Sequence, residues 1–313
     1  MTAATLIHGD RFLPVADILY AGRRAPPLKD DELLRRLDRY GDDLVVVYTD
    51  TTYANRLNRV LPRTRGAQIV LVTHNGDACV GTSNLRAFDA DYALRADCVA
   101  HWFAQNIAVR DPRLSVLPVG LERPGCGPGL PKEPLLAFRR NYPNGRRHLL
   151  YLNHAIVTNA AVREKPYRLF EKARYALVRH GMNGMDYAAY LRDLSNSAYC
   201  ISPPGNGLDC HRTWEAMYVG CVPIVLRSVM SEALYANLPV LLVDDYDEVN
   251  EVVLREGLSR FPEAAFTRAA LFFEFYREAI AARCRALCPG KRLRDPRTHF
   301  LVRIECWLRA RLS

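Results

Sequence analysis

The sequence predicts an α/β protein made of two doubly wound, Rossmann-like halves that face a cleft. Three observations carry this. Short apolar runs of strand length alternate with stretches of helical spacing along the 313 residues. Each apolar run ends in a polar tip. A segment dense in proline and glycine divides the chain near its middle. Alternating strand and helix imply a parallel sheet with helices on its faces, and near-continuous apolar runs suit strands buried on both sides.

Residues 1 to about 25 are ambiguous, with Phe12 to Tyr20 able to supply one strand. Asp30 to Tyr40 has helical spacing, with Leu33, Leu34 and Leu37 on one side. Leu44-Val-Val-Val-Tyr48 is a buried strand ending at Thr49-Asp50, and a helix follows over Tyr53 to Leu61. Gln68-Ile-Val-Leu-Val-Thr73 is the next strand, with the polar tip His74-Asn75-Gly76-Asp77. Val99 to Phe103 and Leu114 to Val119 complete this half. Pro124 to Pro134 then holds four prolines and three glycines, the composition of a linker. The expected domains are 1–142 and 143–313, with a terminal helix over Thr298 to Leu312 that packs back on the first.

The second half opens with the strand His148-Leu-Leu-Tyr-Leu152 and the tip Asn153-His154. Glu164 to His180 reads as one helix and Tyr187 to Ser195 as a short one. The stretch 198–225 reads as strand, glycine loop, helix, strand. Tyr199-Cys-Ile201 is apolar, and Pro203-Pro-Gly-Asn-Gly207 breaks it with turn residues. Asp209 is the expected N-cap, Gly220 marks the helix C-terminus, and Cys221 to Val225 resumes an extended run. Leu238 to Val243 is the last strand, and Phe266 to Leu287 a long helix.

A glycine loop running into a helix at the carboxyl end of a strand favours anions, because orphan amides and the helix dipole point at the ligand. His211, Arg212 and Glu215 share one helix face at spacings of three and four. Arg212 suits a diphosphate through its planar fork, and Glu215 can accept from a ribose diol. Trp214 and Tyr218 point elsewhere, into the core. Without a ligand the same residues could form an ordinary turn and a surface ion pair.

Taken jointly, Gly205, Gly207, Asp209, His211, Arg212, Trp214, Glu215, Gly220, Cys221, Pro223 and Ile224 resemble the nucleotide-sugar motif of exostosin-type glycosyltransferases and related GT-B enzymes. The resemblance is sharp over about residues 148–245. It implies an inverting enzyme that moves a sugar, such as glucuronic acid, galactose or xylose, from a UDP donor to a glycan hydroxyl. Asn159 and Arg163 resemble the family's Asn-x-x-x-Arg, which assigns Arg163 to the donor phosphate. Gly205, Asn206, Gly207, His211, Arg212 and Glu215 complete the donor set, with Arg227 as a third phosphate ligand. Two or three arginines would do the electrostatic work of a divalent metal, so no metal and no cofactor are expected. Asp89-Ala-Asp91 has the D-x-D spelling of metal-dependent glycosyltransferases of another fold, but reads as a helix or connector rather than a strand end.

Inversion needs a general base, which in GT-B enzymes comes from the N-terminal domain. His74, Asp77 and the neighbouring Asp50 are the candidates, and a histidine needs little tuning to act near neutral pH. No G-x-S-x-G, H-E-x-x-H or G-x-x-x-x-G-K-[ST] pattern points to other chemistry.

Net charge is +9, from 43 Lys+Arg against 34 Asp+Glu, which suits anionic partners. A non-catalytic basic module that holds an anionic glycan or nucleic acid is therefore the rival reading. Dispersed basic residues and the lack of an RNA-binding aromatic signature count against nucleic acid. Nine cysteines without CxxC spacing fit a reducing compartment. No signal peptide or run of eighteen apolar residues is present, although eukaryotic exostosins generally carry an anchor. The expectation is a cytoplasmic protein, unless an anchor has been removed, with peripheral membrane contact left open.

Overall fold

The computed structural model describes residues 5–22, 25–81, 94, 96–123, 135, 146–181 and 185–294. The chain forms two compact units. One comprises His8–Pro118 together with the chain from Phe273 onward; the other comprises the residues up to Ile7 together with Val119–Phe272. The sequence places a single boundary at 142/143. The two compact units divide at 7/8, 118/119 and 272/273. The prolines and glycines of 124–134, the D-x-D residues Asp89 and Asp91, and the expected helix at 298–312 lie outside the described residues.

The first unit holds a five-stranded parallel sheet in the order β1-β2-β3-β4-β5. Its strands are β1 (Ile18–Ala21), β2 (Leu44–Asp50), β3 (Gln68–His74), β4 (Val99–Ala104) and β5 (Leu114–Val116). β2 is buried along its whole length and β3 from its second residue, as their apolar runs require. Helix α1 (Asp30–Asp38) buries Leu33 and Leu37. The helix expected over 53–61 is only the short α2 (Thr51–Ala54), continued as a 3-10 turn over Asn55–Arg59. The helix Phe273–Leu287 belongs to this unit. It packs against β4, Phe273 stacks edge-on with Phe12, and the following Lys291 pairs with Asp17 at 2.6 Å.

The second unit holds β6 (His148–Asn153), β7 (Ala176–Arg179), β8 (Ser197–Ile201), β9 (Val222–Leu226) and β10 (Leu241–Val243), in the order β10-β9-β8-β6-β7. All pairings are parallel. Strand β7 stands where the helical spacing predicts one helix through to His180. Helix α3 (Ala160–Phe170) stops well before it. As an edge strand β7 is only half-buried, and its apolar run Tyr175-Ala-Leu-Val178 is short and flanked by Arg174 and Arg179, so it merges with the helical stretch before it. Helix α4 (Tyr187–Ser195) lies where the spacing predicts it.

Helix α5 (His211–Tyr218) ends as its glycine predicts. Gly220 has φ +83°; its N–H bonds Met217 O and the Cys221 N–H bonds Ala216 O, a Schellman termination. Trp214 and Tyr218 are buried in the core. Two further helices, α6 (Val229–Tyr235) and α7 (Glu251–Gly257), follow β9 and β10. No helix among the described residues is long and apolar enough to cross a membrane.

Candidate functional site

In the second unit the strand order reverses at β6, which has β7 on one side and β8 on the other. Helices leaving the two central strands then depart to opposite faces, and a crevice opens outside their carboxyl ends. Registers Leu150↔Tyr199 and Tyr151↔Cys200 bring the tip Asn153-His154 beside Ser202 and the glycine loop. The first unit, with strands in sequence order, has no such reversal among its described strands.

Residues 203–207 are held from the facing element. Arg163, 7% exposed, donates from Nε to Pro204 O at 2.9 Å, from Nη2 to Pro203 O at 3.3 Å, and from Nη1 to Ala155 O at 2.9 Å and Thr158 Oγ1. Asn159 adds Nδ2 contacts to the Pro204 and Gly205 carbonyls at 3.4 and 3.3 Å. A Cβ on Gly205 would stand 2.6 Å from Arg163 Nη2, so a larger residue there would push the guanidinium off its loop carbonyls. Arg163, expected at the donor phosphate, here gives its donors to backbone carbonyls and the Thr158 hydroxyl, and it shapes the loop.

Arg212 is the opposite case. It is half-buried in the first turn of α5 and makes no hydrogen bond or ion pair with any described residue; its Nε is buried without a partner. The Glu215 carboxylate one turn on favours the Arg212 charge from nearby, while the hydrogen-bond donors it leaves unmatched suit an anion in the crevice. The N-cap of α5 is Cys210, not Asp209, and its side chain makes no capping bond. Asp209 is a buried hub, accepting from Val119 N–H at 2.7 Å, from Trp214 Nε1 and from Tyr235 Oη.

Glu215 is 9% exposed, and both its oxygens are engaged from α4. Tyr187 Oη donates at 2.7 Å and Tyr190 Oη at 2.9 Å. The two tyrosines, invisible as site residues in the sequence, pin α4 on α5 through this carboxylate. An expected ribose contact is thus secondary to a packing role. Glu215→Ala should strand two tyrosine hydroxyls, of which Tyr190's is fully buried, at about 1–3 kcal/mol for each buried group left unsatisfied. Urea unfolding should show this loss, and unchanged stability would count against the hub.

The other donor-set residues sit at the rim. His211 Nδ1 bonds Gly120 O at 2.7 Å, and its Nε2 lies 3.3 Å from Glu122 Oε2. Arg227, the third expected phosphate ligand, follows β9 and is paired at the surface with Asp244 at 2.7 Å and Glu232 at 3.6 Å. Asn206 is exposed at the loop crest.

At the β6 tip, His154 is 1% exposed, and its Nε2–H donates to Arg163 O at 2.8 Å. Burial first, and then the nearby Arg212 cation, push its imidazole down to about 3. The folded value lies below the ordinary histidine value of about 6.5, so the folded state binds fewer protons than the unfolded one. The associated stability is fully present above about pH 6.5 and drains away as pH falls towards about 3. The stability difference between the wild type and His154→Gln should therefore shrink between pH 7 and pH 4. A pH-independent difference would contradict this.

The candidate bases sit in the first unit, at the carboxyl ends of β2 and β3, where Asp50 pairs with His74 in register. His74 is fully buried. Its Nδ1 accepts the Asn75 N–H at 2.8 Å, its Nε2–H donates to Pro118 O at 2.8 Å, and Phe12 stacks on the ring. Both ring nitrogens of His74, one of the expected bases, are thus engaged within the unit. Asp50, 5% exposed, accepts from Tyr48 Oη at 2.9 Å and Asn75 Nδ2 at 3.2 Å. Asp77 is exposed on the loop. Among the described residues, no group of three or more His, Cys, Asp or Glu is placed to hold a metal ion.

No family model matches the chain, and no curated protein matches it. Among solved structures it is similar to the pneumococcal O-GlcNAc transferase GtfA in complex with UDP and GlcNAc, with 11% identity over 90% of this chain and a TM-score of 0.32. The chain spans about 60% of the length of that protein. It is also similar to a UDP-forming α,α-trehalose-phosphate synthase from Burkholderia vietnamiensis, with 12% identity, coverage of 91% and 77% of the two chains, and a TM-score of 0.38. A third similar structure is the spinosyn forosaminyltransferase SpnP, with 14% identity, coverage of 88% and 80%, and a TM-score of 0.36.

Proposed function

We propose that this protein is a glycosyltransferase that moves a sugar from a nucleotide diphosphate donor, a UDP-sugar, to a glycan hydroxyl. The observation that carries the reading is Arg212, a cation with no hydrogen bond or ion pair to the described residues, at the strand-order reversal beside a glycine loop. The sequence resemblance to exostosin-type enzymes over the same residues supports it. A reducing, cytoplasmic setting stays part of the reading, on the cysteine usage of the sequence.

In this reading the acceptor oxygen attacks the anomeric carbon as the bond to the diphosphate oxygen breaks, inverting the centre. Arg212 and the first turn of α5 take up the charge that develops on the leaving diphosphate, a role suited to donors already in place. Arg163 and Asn159 keep the glycine loop in shape. With His74 occupied, Asp77 is the proposed acceptor of the hydroxyl proton, because it is the exposed carboxylate of the three candidates.

Scanning UDP- and GDP-sugars for nucleotide release with glycan acceptors tests the reaction directly. Failure with every donor, together with undetectable UDP and GDP binding, would refute it. Because arginine does the work of a metal here, EDTA should leave most of the rate. Complete loss with EDTA, restored by Mn²⁺, would overturn the metal-independent step.

A further inference from the structure

The loop after β3 is braced at both ends by the segment after β4. At its start, Gln105 Nε2 and Asn106 Nδ2 both donate to the Gly76 carbonyl, the latter at 3.3 Å. The Asn75 N–H donates to Gln105 Oε1 at 2.9 Å, and Asn75 Nδ2 donates to Tyr48 Oη at 2.9 Å and to Asp50. At its far end, Val80 bridges Ile107, through Val80 N–H to Asn106 O at 2.9 Å and Ala108 N–H to Val80 O at 2.8 Å. Gln105 and Asn106 are each 1% exposed, yet Asp77 at the crest is open.

Two residues of this brace are left-handed without being glycine: Asn75 at φ +57° and Asn106 at φ +54°. Asparagine tolerates that region better than other side chains, but such residues persist only where their surroundings hold them, and they gather at functional sites. The effect on the crest is directional. In a trans peptide the carbonyl and the next N–H point in opposite directions. A Gly76 carbonyl drawn inward by two buried amides therefore turns the Asp77 N–H outward.

We infer that Asn75 and Asn106 are positioning residues that hold the Gly76–Asp77 crest in a fixed pose, presenting the Asp77 carboxylate and N–H to a sugar hydroxyl. The inference deepens the glycosyltransferase reading and rests on it for the identity of the hydroxyl.

The test pairs ¹⁵N relaxation of the Gly76 and Asp77 amides with kcat and donor KM. In the wild type, order parameters should be about 0.85, the rigid-backbone value, and should fall below about 0.6 in Asn75→Ala. Asn75→Gly, which keeps the left-handed backbone and loses only the amide, should lie between. Turnover should drop ~10–100-fold in Asn75→Ala with donor KM unchanged, as a misplaced catalytic group would give. Combining Asn75→Ala with Asp77→Asn should add little, because both remove the same group. Should Asn75→Ala fail to fold, Asn106→Gly removes one amide from the Gly76 carbonyl without backbone strain and carries the same readouts. A crest already mobile in the wild type, or losses that multiply in the double variant, would overturn the inference. A rigid crest that loosens in the variants, in a protein that turns over no sugar nucleotide, would keep the positioning role and refute the transferase reading instead.

Discussion

Arg212→Ala is expected to weaken UDP and GDP binding by roughly 100-fold or more with only a small change in stability. Hydrogen bonds to charged groups are worth about 1.5–3 kcal/mol each, and a guanidinium can give a diphosphate two of them. Removing a buried group usually strands its partner. Arg212 has no hydrogen-bonding or ion-pair partner among the described residues to strand, and its Nε is buried unmatched. The substitution should therefore separate binding from stability, which Arg163→Ala cannot do because it would release four backbone and side-chain acceptors of the loop region. Arg212→Lys should recover only part of the affinity, since an ammonium keeps the charge without the planar fork. Calorimetry showing wild-type affinity in Arg212→Ala would take the nucleotide away from this crevice.

Asp77→Asn is expected to lower turnover by ~10²–10⁴-fold, the span associated with a positioned general base. Nucleotide affinity should stay within about twofold, because the donor set lies on the other sheet's loop. Stability should hardly change, since the side chain is exposed. His74→Phe is the informative contrast. It keeps a ring to stack on Phe12 but gives up the bonds to Asn75 N–H and Pro118 O, so its expected loss is in stability. A collapse of turnover in a stable His74 variant, with Asp77→Asn fully active, would return the base to the histidine.

Much of the architecture is determined locally and is legible for that reason. Strands β2, β3, β6, β8 and β9 are buried on both faces, so each must be spelled as a nearly unbroken apolar run, and each is found where such a run stands. Gly220 marks a helix end because a left-handed residue closes that termination, and Trp214 and Tyr218 are in the core as their large rings suggest. What the sequence could not order was anything whose meaning depends on a distant partner. Edge strand β7 has only the short apolar run Tyr175-Ala-Leu-Val178 between two arginines, and its pairing with β6 is what makes it a strand rather than more helix. Arg163 and Arg212 are both arginines near one loop, and both suit a phosphate. Only packing shows that Arg163 meets the Pro203, Pro204 and Ala155 carbonyls while Arg212 meets none. Likewise Asp50, His74 and Asp77 are equivalent as polar strand tips until burial and hydrogen bonding separate them. The chain by itself therefore determined its central buried strands, its glycine loop and its candidate residues. Their division into scaffold and reactive groups was decided by tertiary structure, because a side chain's chemistry depends on which of its donors and lone pairs remain unmatched.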